Sequence, residues 1–287
     1  MSAEALPAPR VRAAARPGVL TVYGWELRKL VAQKRTYLGL GAAIAVPLIF
    51  VVALAVDSSG GSVGFPFGRY VRESGLATPL VCLSFGSIWL MPLITALVAG
   101  DIVATEDHHG TLKTILTRSV ERWQVFAGKA LVAMTYAATA LVLFVGVGLL
   151  AGGLMWGFDP VTSLSGTRIS AGRGLLLIAG GTAAYLLPIL ALCMIGLLLS
   201  TLTRNSAASV VGVLMLSIML QLLGIISALD AIDPYLLPTQ FNAWEGLLRE
   251  PIDWAPIVRA AWVSALWGLP ALAVALTEFV RRDVAGG

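Results

Sequence analysis

Six long apolar stretches, separated by polar or turn-rich segments, occupy most of the chain: residues 37–56, 80–100, 130–150, 174–200, 207–229 and 260–280. A helix rising about 1.5 Å per residue needs about 20 residues to cross a hydrocarbon core of about 30 Å, and every stretch meets that length. The pattern predicts an all-α membrane protein with six transmembrane helices. Pro47, Pro92, Pro188 and Pro270 fall within four of the spans. Each removes a backbone donor and predicts a kink. Gly148 with Gly152, and Gly196 with Ser200, form small-xxx-small pairs that let helix backbones approach.

The segments between spans carry their own patterns. Residues 1–18 are rich in Ala, Pro and Arg and are expected to form a disordered tail. Residues 19–35 differ: Val19, Leu20, Tyr23, Leu27, Leu30 and Val31 fall on one helical arc, with Arg28 and Lys29 off it. That predicts a helix lying in the membrane interface, with a bend at Gln33–Thr36 before the first span. Residues 57–79 are Gly/Ser-rich. Residues 230–256 combine four prolines with Tyr235, Phe241, Trp244 and Trp254. Phe241, Trp244, Leu247 and Leu248 share a helix face there, with Thr239 as candidate N-cap. A short external helix, re-entrant or interfacial, is expected in this segment.

Composition agrees with the pattern. Hydrophobic residues make up 57% of the chain and charged residues 13%, well below the usual quarter of a soluble domain. One membrane domain, residues 19–287, is therefore expected, without room for a separate soluble catalytic domain. The net charge of +4 reads as orientation rather than as affinity for nucleic acid. With both termini in the cytoplasm, 14 Lys and Arg fall inside and 6 outside, as the positive-inside rule requires. The expected location is the cell membrane, multi-pass. Residues 1–19 lack an apolar signal-peptide core, so the first span is expected to act as an uncleaved insertion signal. Cys82 and Cys193 lie within spans and read as small apolar fillers.

The densest chemistry lies between spans two and three, in residues 104–125. Glu106, Asp107, Lys113, Arg118, Glu121 and Arg122 surround a short apolar repeat of Leu112, Ile115 and Leu116, which Gly110 and Thr111 introduce. A short helix with an apolar face and charged flanks, held at the end of a bundle, suits docking into a groove of another protein.

The series Glu106, Gly110–Thr111–Leu112–Lys113, Leu116, Val120, Arg122 and Gly128–Lys129 resembles the cytoplasmic segment of ABC-2 type transporter permeases, the membrane subunits of ABC exporters. Glu26–Leu27–Arg28–Lys29–Leu30 with Arg35–Thr36–Tyr37 is similar to that family's entry into span one. Leu199–Ser200 with Thr203–Arg204–Asn205–Ser206 is similar to its turn between spans four and five. Ser119 departs from the pattern, which often has Pro there. The resemblance implies a permease paired with an identical or related chain and worked by two separate ATPase subunits. ATP and Mg would be held by those partners, with no cofactor, metal or catalytic residue in this chain. The chain has no G-x-x-x-x-G-K-[ST] loop to cradle phosphates. By resemblance, Glu26, Arg28 and Lys29 of the interfacial helix, and Glu106, Gly110, Thr111, Leu112, Lys113, Ile115 and Leu116 of the coupling segment, would form the contact with the ATPase. The cargo is expected to be hydrophobic or amphipathic: a drug, antibiotic or lipid-like molecule.

Two other classes fit less well. An intramembrane enzyme places Ser with His, paired Asp or metal ligands inside spans. Here the histidines are His108 and His109, both between spans. An ion-coupled carrier keeps ionisable groups at mid-membrane. Here the most polar mid-span side chain is Gln221, which a helix–helix hydrogen bond would explain, and Asp101, Arg259 and Glu278 sit at span ends, where long or polar side chains reach water.

Overall fold

The computed structural model describes residues 17–56, 70–108, 120–162 and 167–281. In chain order the helices are α1 (Val19–Val31), α2 (Lys34–Val56), α3 (Ala77–Gly86), α4 (Leu90–Ala99), α5 (Ala104–His108), α6 (Arg122–Trp156), α7 (Ala171–Thr203), α8 (Ser206–Leu223) and α9 (Ala255–Arg281). A small antiparallel ladder, Val161–Thr162 with Arg168–Ile169, joins α6 to α7. Short 3-10 turns, the longest Pro238–Leu248, join α8 to α9.

Five helices, α2, α6, α7, α8 and α9, are long and apolar enough to cross a membrane. The chain is thus an all-α protein of membrane-spanning character. The stretch at 80–100 is not the single straight span that its hydropathy predicts. It divides into α3 and a second arm starting at Leu90, and the two arms are bent by 61°.

The bend has an identifiable cause. Pro92 has no N–H to give the carbonyl of Ile88 four residues earlier, and its ring crowds that carbonyl. The orphaned oxygen accepts instead from Gln221 Nε2 on α8, at 3.0 Å. The carbonyl of Ser84 accepts from Ser87 Oγ at 2.9 Å. In apolar surroundings each freed backbone group needs such a partner. Pro47, Pro188 and Pro270 differ, because their helices continue through them.

Both arms of the broken element are packed by small residues. A Cβ added to Gly152 of α6 would lie 2.3 Å from Thr78 Oγ1 of α3, and one on Gly148 would lie 3.3 Å from Cys82 Sγ. A Cβ on Gly196 of α7 would lie 2.9 Å from the Ala99 Cβ of α4. One turn on, Ser200 Oγ accepts from the N–H groups of Val103 and Ala104, at 3.2 and 3.0 Å. Nearly every residue of α3 is buried. Phe85 lies between Phe50 of α2, at 5.3 Å, and Phe144 of α6, edge-on at 6.0 Å. Cys82 and Cys193 are free and buried, as fillers of apolar space are.

Other boundaries shift for local reasons. α6 and α7 run to 35 and 33 residues, past their apolar stretches at both ends. α8 stops at Leu223 rather than 229, where Gly224 ends the helix and comes so close to Asp233 that a Cβ would meet its carboxylate at 2.8 Å. A two-residue turn separates α7 from α8. Arg204 takes the left-handed conformation (φ 53°), and Asn205 Oδ1 accepts from the N–H of Ala208. In the 230–256 segment, Phe241, Trp244, Leu247 and Leu248 share a face as predicted, but that face is buried in the bundle. Tyr185 of α7 meets Phe241 edge-on at 5.0 Å. Phe241 and Trp244 are therefore core residues and not interfacial ones, whereas Tyr235 and Trp254 are exposed. Thr239 is not the N-cap. The turn begins at Pro238, and the Thr239 hydroxyl donates to Asp233 Oδ1 at 2.9 Å.

Candidate functional site

The N-terminal helix lies along the first turns of α6. Contact is close enough that a Cβ on Gly128 would meet Val22 Cγ1 at 2.7 Å. The face that α1 buries overlaps the apolar arc of the sequence, with Leu30 buried and Tyr23 and Leu27 packed partly buried against the core. Its buried ridge is Val22, Glu26 and Leu30, while Leu20 and Val31 are exposed. One group explains why a carboxylate lies on that ridge. Lys129 of α6 is fully buried, and its ammonium draws the Glu26 carboxylate inward.

Four charges meet there. Lys129 Nζ lies 3.0 Å from Glu26 Oε2 and 2.6 Å from Glu106 Oε2. Lys29 Nζ lies 3.1 Å from Glu26 Oε1 and 2.6 Å from Glu106 Oε1. Each carboxylate is thus shared by both lysines, and the cluster is neutral. Lys129 also donates to the Ile102 carbonyl at 3.4 Å. Burial alone would lower the pKa of Lys29, but the hydrogen bonds to and charges of Glu106 and Glu26 outweigh it and hold the ammonium above its ordinary range.

A second polar junction adjoins the first. Asp101 is buried, held by Arg35 at the start of α2, by Thr105 and by the Ser206 hydroxyl that opens α8. This corrects the expectation that Asp101 reaches water at a span end. Arg35 also donates twice to Gln33 Oε1, at 3.0 and 2.9 Å, and Thr36 Oγ1 donates to the Leu30 carbonyl at 2.6 Å. Those bonds fix the predicted bend between α1 and α2. At the same end, Arg122 Nη1 donates to the Val280 carbonyl at 3.1 Å, and Phe126 packs on Phe279 at 5.5 Å. The first and last described helices therefore gather at one end of the bundle.

Of the residues singled out from the sequence, Glu26, Lys29 and Glu106 come together in one cluster. Arg28 is exposed and outside it. Gly110, Thr111, Leu112, Lys113, Ile115 and Leu116 lie outside the described residues. Lys129, Asp101, Arg35 and Ser206 are structural partners that sequence reasoning did not assign to the site. Lys129, Arg35 and Ser206 stand inside the quoted motifs, and a lysine at the threshold of an apolar run is the available signal.

Chemically, the arrangement is a clamp. Two lysines and two glutamates satisfy one another, and they join α1, the arm ending in α5 and the start of α6. Beside them, Arg35, Asp101 and Ser206 bring in α2 and α8. Buried charges of this kind cost several kcal/mol each to desolvate and persist only when well paired. Through Glu106, α5 is bonded to both lysines of this cluster.

No curated protein matches this chain. A family model described as "Protein of unknown function (DUF2705)" matches residues 43–284, most of the chain, and the protein belongs to that family.

Proposed function

We propose that this protein is the six-span permease subunit of an ATP-driven ABC-2 type exporter in the cell membrane, with both termini cytoplasmic. Separate ATPase subunits would bind beneath the 104–125 segment and α1, and a second permease chain, identical or related, would complete the assembly. The chain would supply no catalytic residue. ATP and Mg would belong to the partner. The cargo would be hydrophobic or amphipathic, a drug, antibiotic or lipid-like molecule.

The observation that carries the reading is the four-charge clamp. Glu106 of α5 is tied to Lys129 of α6 and Lys29 of α1. A push from a neighbouring protein would thus move two helices and the lower arm of the broken element together. Two-state elements that a remote ligand can bias are the physical basis of such switching. The clamp also revises the roles given by resemblance. Glu26 and Glu106 are turned toward Lys129 and would act as positioning residues, which leaves Arg28 and Lys29 as the exposed charges of α1.

An ion-coupled carrier could use buried charges too. Here, however, the charges neutralise one another, and they gather beside α1 rather than at mid-span. The experiment is purification of the tagged chain from its own membranes in mild neutral detergent. An ATP-hydrolysing subunit at near-stoichiometric yield is the expected companion. A folded chain that retains no such subunit, yet moves solute on a proton gradient alone, would overturn the reading.

A further inference from the structure

At the far end of the bundle from the clamp lies a cavity of about 420 Å³. That volume is within the range of about 300–1,000 Å³ common for small-molecule sites. Its walls are the bend itself, with Ser84, Ser87 and Ile88; the end of α8, with Leu220 and Gln221; and the turns that follow, with Asp233, Asn242 and Glu245. Two carboxylates face into it, and no Lys or Arg is among its lining residues.

The two acids are held differently. Asp233 is fixed in place by the Thr239 hydroxyl. Glu245 lies half-buried on the 3-10 turn, where burial raises its carboxyl above the ordinary range. Arg249 offsets only part of that effect, and its guanidinium is hydrogen-bonded to Asp253 at 3.2 Å. A cation entering the cavity would relieve the same penalty. Ile88, Leu220 and Ile225 give the lining an apolar part. Hydrogen-bonding capacity remains in Asn242, which is exposed.

We propose that this cavity binds a monovalent organic cation of amphipathic shape, its ammonium between Asp233 and Glu245 and its apolar body against Ile88, Leu220 and Ile225. A carboxylate pair selects the positive head through charge-assisted hydrogen bonds. The apolar wall selects the body by burial. Anionic amphiphiles are excluded by the same two acids. Assigning the cation as cargo rests on the exporter reading, whereas the binding does not.

The test uses the full chain in a neutral detergent, titrated with dansylcadaverine, a primary amine on an apolar fluorophore. N-acetyl-dansylcadaverine, of nearly the same shape without the charge, is the comparison. Saturable binding of the amine, at least tenfold tighter than the acetyl compound, is expected. Asn242→Lys puts a cation into the cavity from an exposed position and should weaken amine binding at least tenfold, while Asn242→Gln leaves it within twofold. Glu245→Gln should weaken it about tenfold. Elution like the unmodified chain on gel filtration establishes that each variant is folded. Equal binding of the two compounds, no saturable binding of the amine, or indifference to both N242K and E245Q would overturn the proposal. No ATPase and no transport enters this measurement, so its outcome is separable from that of the exporter reading.

Discussion

Lys129 is the residue on which the architecture of the clamped end turns. It is fully buried, whereas the side chain of Lys29 is 45% exposed, yet both bind the same two carboxylates. Removing one partner from a buried ion pair typically costs about 3–5 kcal/mol, because the other charge is left without compensation. Solvent screening reduces the effect at exposed positions to about 0–1 kcal/mol. Thermal unfolding in detergent should therefore show Lys129→Met far less stable than the unmodified chain and Lys29→Met close to it. Equal losses would mean that the two lysines share the load. The sequence contained these charges but not their grouping. Glu26, Lys29 and Glu106 were selected by resemblance, as contacts for another protein, and the structure turns two of them inward. Hydropathy could not anticipate this, because a lysine near a span end is ordinarily read as reaching for water. Only the path of α1 across α6 brings residue 26 within bonding distance of residue 129.

Between single residues and the whole, the broken element carries the most information. Its cause was legible: Pro92 predicts a disturbed helix, and Gln221 predicts an inter-helix hydrogen bond. That the two predictions concern one atom, the Ile88 carbonyl, was not legible, since it depends on how α8 packs. The pairing makes a double-mutant cycle informative. Gln221→Leu should cost about 1–3 kcal/mol by leaving a buried acceptor unsatisfied. In a Pro92→Ala background, where residue 92 regains an N–H, the same change should cost less; an identical cost in both backgrounds would separate the bend from the amide. The small-residue pairs can be tested as directly. Gly152→Ala forces a methyl against Thr78 and should cost about 1–3 kcal/mol through overpacking. Gly146→Ala, whose added Cβ meets nothing within 4 Å, should be neutral or slightly stabilising through helix propensity. Small-xxx-small spacing was visible in the chain, but the spacing alone did not say that both pairs would press on the same partner, one on each arm. The misread elements share a cause. Amphipathic pattern finds the shared face of Phe241, Trp244, Leu247 and Leu248 but not that this face is core, and it does not place Glu26 on the buried ridge of α1.

At the scale of the molecule, the all-helical, membrane-spanning character follows from where the apolar runs fall, whereas the number of spans does not: five helices qualify and the stretch at 80–100 is broken. The family match begins at residue 43 and so includes Asp101, Glu106 and Lys129 while leaving out α1 with Glu26 and Lys29. The clamp is thus built partly from the matched region and partly from the helix that precedes it. If that helix helps to seat the ATPase, Lys129→Met should lower the yield of the co-purified subunit by about tenfold while the permease chain still reaches the membrane; undiminished yield would place the partner elsewhere. The amide of Gln221 sets a condition on any such movement. One side chain on α8 answers the only carbonyl that Pro92 strands, so drawing α8 aside turns a peptide oxygen toward hydrocarbon. Water in the adjoining cavity, which Ile88 and Gln221 both line, would be a replacement donor. Rearrangement at the bend would therefore draw on solvent in that cavity, which couples the motion to its hydration.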